Sequence, residues 1–289
     1  MISDGIVNLD RLFPSPITVY SSLFMLEEIE LHRDRMWRRD ESLRIETVAE
    51  AERLIEEVGF CAALTDARKE MPSIYIAVCG RRDVAAPRNV QKDVEMSAAW
   101  VLKDEVLRRG RVFYGKALKQ GAIFIAPRLI AAFNCLFGTP RAREKDLLSA
   151  NAKAILSVLR SEFEQASSDL RKEAKIADRK ELTRALDELQ NKLKVIPSEV
   201  LYEPKFTYLW TLAEIRFPQQ FADKLTREKA LTQVARAYLS GAGQTTSKNL
   251  SKLINVTPLE ANLGFLNLVE ENSAVQVSPG EFRLSTLIT

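Results

Sequence analysis

The sequence predicts a helix-rich α+β fold built of three tandem winged-helix modules with short β-hairpin wings. Three observations lead there. Residues 93–128 read as a helix stopped by Gly110 and followed by a hairpin around Lys119-Gln120-Gly121. The same helix-then-hairpin order returns near 178–212 and again near 257–285. The length of 289 residues has room for three modules, each of about 70–90 residues, within the usual range of domain sizes. The modules are expected at 44–146, 147–214 and 215–289, after an N-terminal lead-in and helix at 1–43.

Taken in order, the lead-in ends at Pro14-Ser-Pro16, and Thr18 is placed to cap a long helix. Leu23, Leu26, Ile29 and His32 share one face of it, and Arg33, Arg35, Arg38 and Arg39 fill the rest. Such a helix either lies against the first module or reaches out to a partner. Thr47 opens the leading helix of the first module, with Glu50 completing a capping box and Val48, Ala51, Leu54, Ile55 and Val58 turned inward. Gly59 ends it, Phe60–Leu64 is a short apolar run, and Ser73–Gly80 forms a second short helix after Pro72. A basic loop, Arg81–Gln91, leads to the third helix, where Val94, Ala98, Val101, Leu102 and Val106 recur at helical spacing. Trp100 is expected to face the core. Strands over 111–118 and 122–126 close the module.

The second module begins near Ser149 with an amphipathic helix carrying Ala152, Ile155, Leu156, Leu159 and Phe163. A short helix over 170–175 follows, and Asp178 caps a third with Leu182, Leu186, Leu189 and Leu193 buried. Strands over 194–201 and 205–212 flank a wing at 202–204. The third module repeats the order with helices at 228–240, 248–254 and 259–271, and strands at 274–277 and 281–285 paired across Pro279-Gly280.

Composition narrows the function classes. A hydrophobic share of 46% with 28% charged residues is ordinary globular composition and excludes a disordered chain. The most apolar stretch, 122–137, is broken by Pro127, Arg128 and Asn134, so it reads as core and not as a membrane span. Met1-Ile-Ser-Asp has no secretory leader character. The three cysteines, Cys61, Cys79 and Cys135, are odd in number and sit in apolar surroundings, which suits reduced thiols in a cytoplasmic protein. No zinc-type spacing is present, and no metal or cofactor is expected. His32, the one histidine, lies in a polar helix and reads as a surface residue, with nothing near it to form a Ser-His or Cys-His pair.

Charge points to nucleic acid. From Arg81 to Arg128 there are eleven Lys/Arg against five Asp/Glu, a net +6 where the whole chain carries +3. A basic surface of this kind neutralises phosphates. The candidate contacts are Arg81, Arg82, Arg88, Lys103, Arg108, Arg109, Arg111, Lys116 and Lys119. The third helix of the second module adds Arg179, Lys180 and Arg184, offset by Asp178, Glu181, Asp187 and Glu188. Its counterpart in the third module, 257–271, has three glutamates and no cation, and is assigned to packing or protein contact, so the first module alone is expected to carry the electrostatic footprint.

Several short motifs occur in an order that carries a resemblance. Arg44–Cys61 ends Glu-Val-Gly-Phe-Cys; Met71-Pro-Ser73, Cys79-Gly-Arg-Arg82, Trp100-Val-Leu-Lys-Asp-Glu-Val106 and Arg109-Gly-Arg-Val-Phe-Tyr-Gly-Lys116 follow. Together they resemble the AlkZ-related proteins, relatives of the AlkZ/YcaQ-type winged-helix DNA glycosylases. The resemblance is best over 44–137 and continues more weakly through Ala185-Leu-Asp-Glu-Leu-Gln190. It implies tandem winged helices holding duplex DNA, with excision of alkylated or crosslinked bases in active members. Those members carry a Gln-x-Gln or Gln-x-Asp motif after the leading helix, to orient water and stabilise positive charge on the sugar. Here that place falls near Ala62-Ala-Leu64. Gln91-Lys-Asp93 has the letters, but in a basic loop. Asp104 and Glu105 are the other candidate acids, beside Lys103 and Tyr114.

Three readings follow. The first is a duplex-DNA-binding protein related to repair glycosylases but lacking base excision. The second is an active glycosylase using Asp104 or Glu105. The third is a winged-helix scaffold that binds protein through its second or third module.

Overall fold

Three times the chain runs through the same order of elements: a helix, a short strand, two more helices and a hairpin. The structure, a computed structural model, describes residues 16–118 and 121–287, with side chains from Met25 onward. Lys119, the lead-in before Pro16 and the side chains of Thr18 and Leu23 lie outside the described residues.

Helix α1 spans Pro16–Trp37. The first unit follows as α2 (Val48–Val58), β1 (Phe60–Ala62), α3 (Ile74–Cys79), α4 (Val94–Arg109), β2 (Phe113–Leu118) and β3 (Gly121–Ile125). Helices α5 (Pro127–Phe137) and α6 (Glu144–Leu147) lead out of it. The second unit is α7 (Ala150–Glu162), β4 (Glu164–Ala166), α8 (Ser167–Glu173), α9 (Arg179–Asn191), β5 (Val195–Leu201) and β6 (Thr207–Leu212). Short helices α10 (Ala213–Arg216) and α11 (Pro218–Ala222) lead to the third, which is α12 (Arg227–Ala242), β7 (Gln244–Thr246), α13 (Ser247–Ile254), α14 (Pro258–Glu270), β8 (Ala274–Ser278) and β9 (Glu281–Leu284). Each unit closes a three-stranded antiparallel sheet with its last strand in the centre, in the orders β1-β3-β2, β4-β6-β5 and β7-β9-β8.

Local chemistry sets the helix ends. Thr47 and Glu50 form the capping box of α2, and Thr257 with Glu260 forms that of α14. Ser73, Asp93, Asp178 and Thr246 each accept a backbone N–H at the start of α3, α4, α9 and α13. Gly59 ends α2 at φ +80°, and a Cβ there would sit 2.7 Å from Leu129 Cδ1, so both backbone and packing demand glycine. Phe163 departs from the sequence expectation. It follows α7 at φ +62° and points outward, because the helix has already ended at Glu162.

The apolar residues gather in three clusters, but not one per unit. The second unit has its own core, with Leu156, Leu159, Leu182, Leu186, Leu189 and Trp210 among its members. In the first unit, α2, α3 and the inner face of α4 enclose another. The third cluster joins the first unit to the third: Phe60 packs edge-on against Phe133 of α5 at 5.4 Å and stacks with Tyr238 of α12 at 6.4 Å. The first and third units are therefore held together by a shared interior.

Helix α1 lies against the end of α12. Ile29 and Trp37 are buried, His32 Nε2 donates to the Ser240 carbonyl at 2.8 Å, and Arg33 Nε donates to that of Ala242 at 2.9 Å. His32 is accordingly half-buried and not a surface residue; burial holds its pKa below the usual 6.5.

Helix α4 also corrects an expectation. Its stripe against α2 and α3 is Met96, Ala99, Leu102 and Val106, while Val94 is 82% exposed and Ala98 and Val101 also face outward. Small apolar residues on two faces support two helical phases, and only packing selects one. Trp100 is half-buried, at the seam with the second unit and not in the core of the first.

Candidate nucleic-acid interface

The seam between the first and second units is polar at its centre. Lys103 and Asp104 of α4 are 1% and 2% exposed. The Lys103 ammonium lies 2.6 Å from Asp104 Oδ1, off the line that a hydrogen bond needs, and donates to the Tyr208 hydroxyl at 3.3 Å. It sits 4.5 Å from the centre of the Trp100 ring and 5.8 Å from those of Tyr114 and Tyr208. An ammonium over aromatic faces is attracted by their quadrupoles, most strongly where water is excluded. Tyr202 donates its hydroxyl to Asp104 Oδ2 and accepts from Trp100 Nε1 at 3.2 Å. Burial, then the Asp104 carboxylate, raises the Tyr202 phenol above its ordinary pKa; burial raises that of Tyr114 further.

Beside this seam lies a cleft of about 910 Å³. One wall is α8 and α9, another the hairpin β5–β6 with its turn, and the third the β2–β3 edge of the first unit. Tyr114 and Tyr208, which flank Lys103, line its floor. Tyr202, Phe206, Tyr208 and Trp210 form a ladder of edge-on rings 5.2–5.7 Å apart, running from the exposed turn into the second unit's core. Arg171, Arg179 and Lys205 line the same cleft. Lys116 on β2 pairs with Asp187 at 2.7 Å, and its backbone N–H donates to Gln190 Oε1 at 3.1 Å, fastening α9 to the first unit.

The structure redistributes the expected basic surface. Arg81 pairs with Glu95, Arg82 with Glu27 and Asp34, Arg108 with Glu199, and Arg109 and Arg111 with Glu52. Most of these acids come from outside 81–128, so a count over that segment overstated its free charge. Lys103 is enclosed and cannot reach a phosphate. Arg88 is exposed and has no ion pair among the described residues. The outward face of α4 runs from Val94 through Ala98, Val101 and Glu105 to Arg108, whose charge is already paired with Glu199.

On α9 the position is reversed. Arg179, Lys180 and Arg184 are exposed and have no ion-pair partner among the described residues, and the same holds for Arg171, Lys172 and Lys175 just before. The neighbouring acids are engaged locally. Asp178 caps the helix, Glu188 binds Ser149, and Asp187 holds Lys116. The expectation that the first unit alone carries the electrostatic footprint does not survive this placement.

The candidate catalytic positions are dispersed. Glu105 is exposed and Asp104 buried, so the two do not meet in one pocket. Ala62 and Ala63 are buried, Leu64 is half-buried, and none can accept a proton. Asp93 caps α4 by accepting from the Met96 N–H at 2.7 Å, while Gln91 is exposed in the loop. Asp66 is buried and bound to Arg68, which holds its carboxyl below the usual range. The cysteines are free thiols, and burial pushes Cys79 up to about 12. Among the described residues no group of His, Cys, Asp and Glu could hold a metal ion, and no helix is long and apolar enough to cross a membrane.

Sequence reading missed Tyr202, Phe206, Tyr208, Arg171 and Lys205. A signal was present: residues 202, 206, 208 and 210 are all aromatic and share one parity, as one face of a hairpin requires.

A sequence model of the family described as AlkZ related matches residues 45–255. Among solved structures, the Streptomyces sahachiroi DNA glycosylase AlkZ aligns with a TM-score of 0.56 at 13% identity, covering 90% of this chain and 70% of that one. At that identity the likeness shows a shared fold. No curated protein matches the chain.

Proposed function

The chain belongs to the AlkZ-related family, and from that premise we propose that it binds duplex DNA through the second of three winged-helix units and does not excise bases. The observation that carries the reading is the cation row on α9. Arg179, Lys180 and Arg184 stand exposed and unpaired among the described residues, on the third helix of its unit. In a winged helix that is the element laid in the major groove. The order of elements and the central last strand of each sheet support the winged-helix reading.

The absence of excision rests on side-chain chemistry. Breaking an N-glycosidic bond builds positive charge on the sugar and needs a group that orients water, worth about 10²–10⁴-fold. Ala62, Ala63 and Leu64 supply none, and Asp104 is held by Lys103 and Tyr202. The test is a salt titration of duplex binding together with release of methylated purines from duplex DNA. The expected result is an association constant that falls steeply with salt, and no released base. Binding indifferent to salt, or base release by the wild type, overturns the reading.

A second reading, a protein-binding third unit, rests on Leu259, Leu263 and Leu266, exposed along one face of α14 beside glutamates. If Leu259→Glu leaves partner capture unchanged, that reading falls.

A further inference from the structure

The cleft joining the first two units borders the cation row and shares Arg179 with it, and its other features are ones that the row does not use. Its volume of about 910 Å³ is that of a small-molecule site and excludes a double helix. Phe206 lines it from the turn with 45% of its surface exposed. Its ring already leans edge-on against Tyr202 and Tyr208, at 5.6 and 5.2 Å, which holds it in place and leaves a face free. Arg171 and Arg179 stand on one wall and Lys205 on the turn opposite, so positive charge flanks the aromatic face on two sides. The anions of the cleft are Asp187, already paired with Lys116, and Glu203.

A planar ligand with negative charge on either side of it fits this arrangement. We infer that the cleft binds an unpaired nucleotide within a single strand, its base stacked on Phe206 and its flanking phosphates held by Arg171 and Lys205. Cations on two walls favour a backbone passing through over one terminal phosphate. Base-on-aromatic stacking tolerates any base, because each has a π face. The inference deepens the DNA-binding reading and rests on it: the duplex lies on α9, and a strand end or gap enters the cleft beside it.

The experiment measures binding of the full chain to fluorescein-labelled oligothymidylate and, separately, to blunt duplex. The wild type should bind both. Phe206→Ala and Phe206→Leu should weaken oligothymidylate binding by roughly tenfold and leave duplex affinity and melting temperature unchanged. Arg171→Ala, an exposed substitution away from the turn, should weaken strand binding without touching the ring. Binding of duplex but not of oligothymidylate by the wild type overturns the inference and leaves the DNA-binding reading standing. So does an unchanged strand affinity in the variants, or an equal loss on both DNAs. Thymidine monophosphate that competes as well as the strand makes this a free-nucleotide site and overturns the strand assignment. If the wild type binds neither DNA, the DNA-binding reading falls and takes the inference with it.

Discussion

Lys103 and Asp104 are consecutive residues of one helix, yet their charged groups meet at 2.6 Å and both side chains are buried. Neighbours in sequence do not normally face each other on a helix. They do so here because the β5–β6 hairpin of the second unit covers both, with Tyr208 on the ammonium and Tyr202 on the carboxylate. The pair is thus a fastening between two units made wholly from one helix turn.

Removing either charge should strand the other in a dry seam. Lys103→Met or Asp104→Asn is expected to cost about 3–5 kcal/mol, whereas the double substitution Lys103→Met with Asp104→Leu should recover much of that. Urea unfolding of the four proteins measures the coupling. A cost below about 1 kcal/mol for each single variant, the size of a surface pair, would mean that water reaches the seam.

The cations should divide by pairing. Arg179→Ala, Lys180→Ala and Arg184→Ala combined should weaken duplex binding strongly and lower its salt slope by about 0.9 for each phosphate left without its cation. Arg109→Ala with Arg111→Ala removes two cations that share Glu52. That variant should change the slope little. The opposite ranking would return the DNA to the first unit.

His32 should make stability depend on pH. Burial against α12 depresses its folded pKa below the unfolded value near 6.5. The unfolded chain then binds the proton first as pH falls. The contribution is full above the unfolded pKa and is lost as pH drops from there through the folded value. His32→Gln should flatten the melting-temperature profile across that window. A wild-type profile no steeper than that of the variant would show that α1 leaves the histidine in water.

Much of the fold was legible before folding. Thr47 and Asp178 announce their caps because each binds a backbone N–H three residues away, a relation contained within one turn of chain. Leu182, Leu186 and Leu189 declare a buried face of α9 because one helix face needs no distant partner to be periodic. The helix-rich α+β class follows from such local signals, and the ordered motifs of 44–137 carry the family resemblance.

What only the tertiary structure decided is which surfaces meet. A charge count along 81–128 is blind to Glu52, Asp34, Asp187 and Glu199, which arrive from elsewhere in the chain and neutralise its cations. The phase of α4 depends on its packing against α2 and α3, and the burial of Lys103 and Asp104 on a hairpin about a hundred residues away. So do the cleft and its aromatic wall. Periodicity and capping are local, and the sequence carries them openly. Electrostatic neutralisation and desolvation are pairwise across space, so they exist only once distant segments have been brought together.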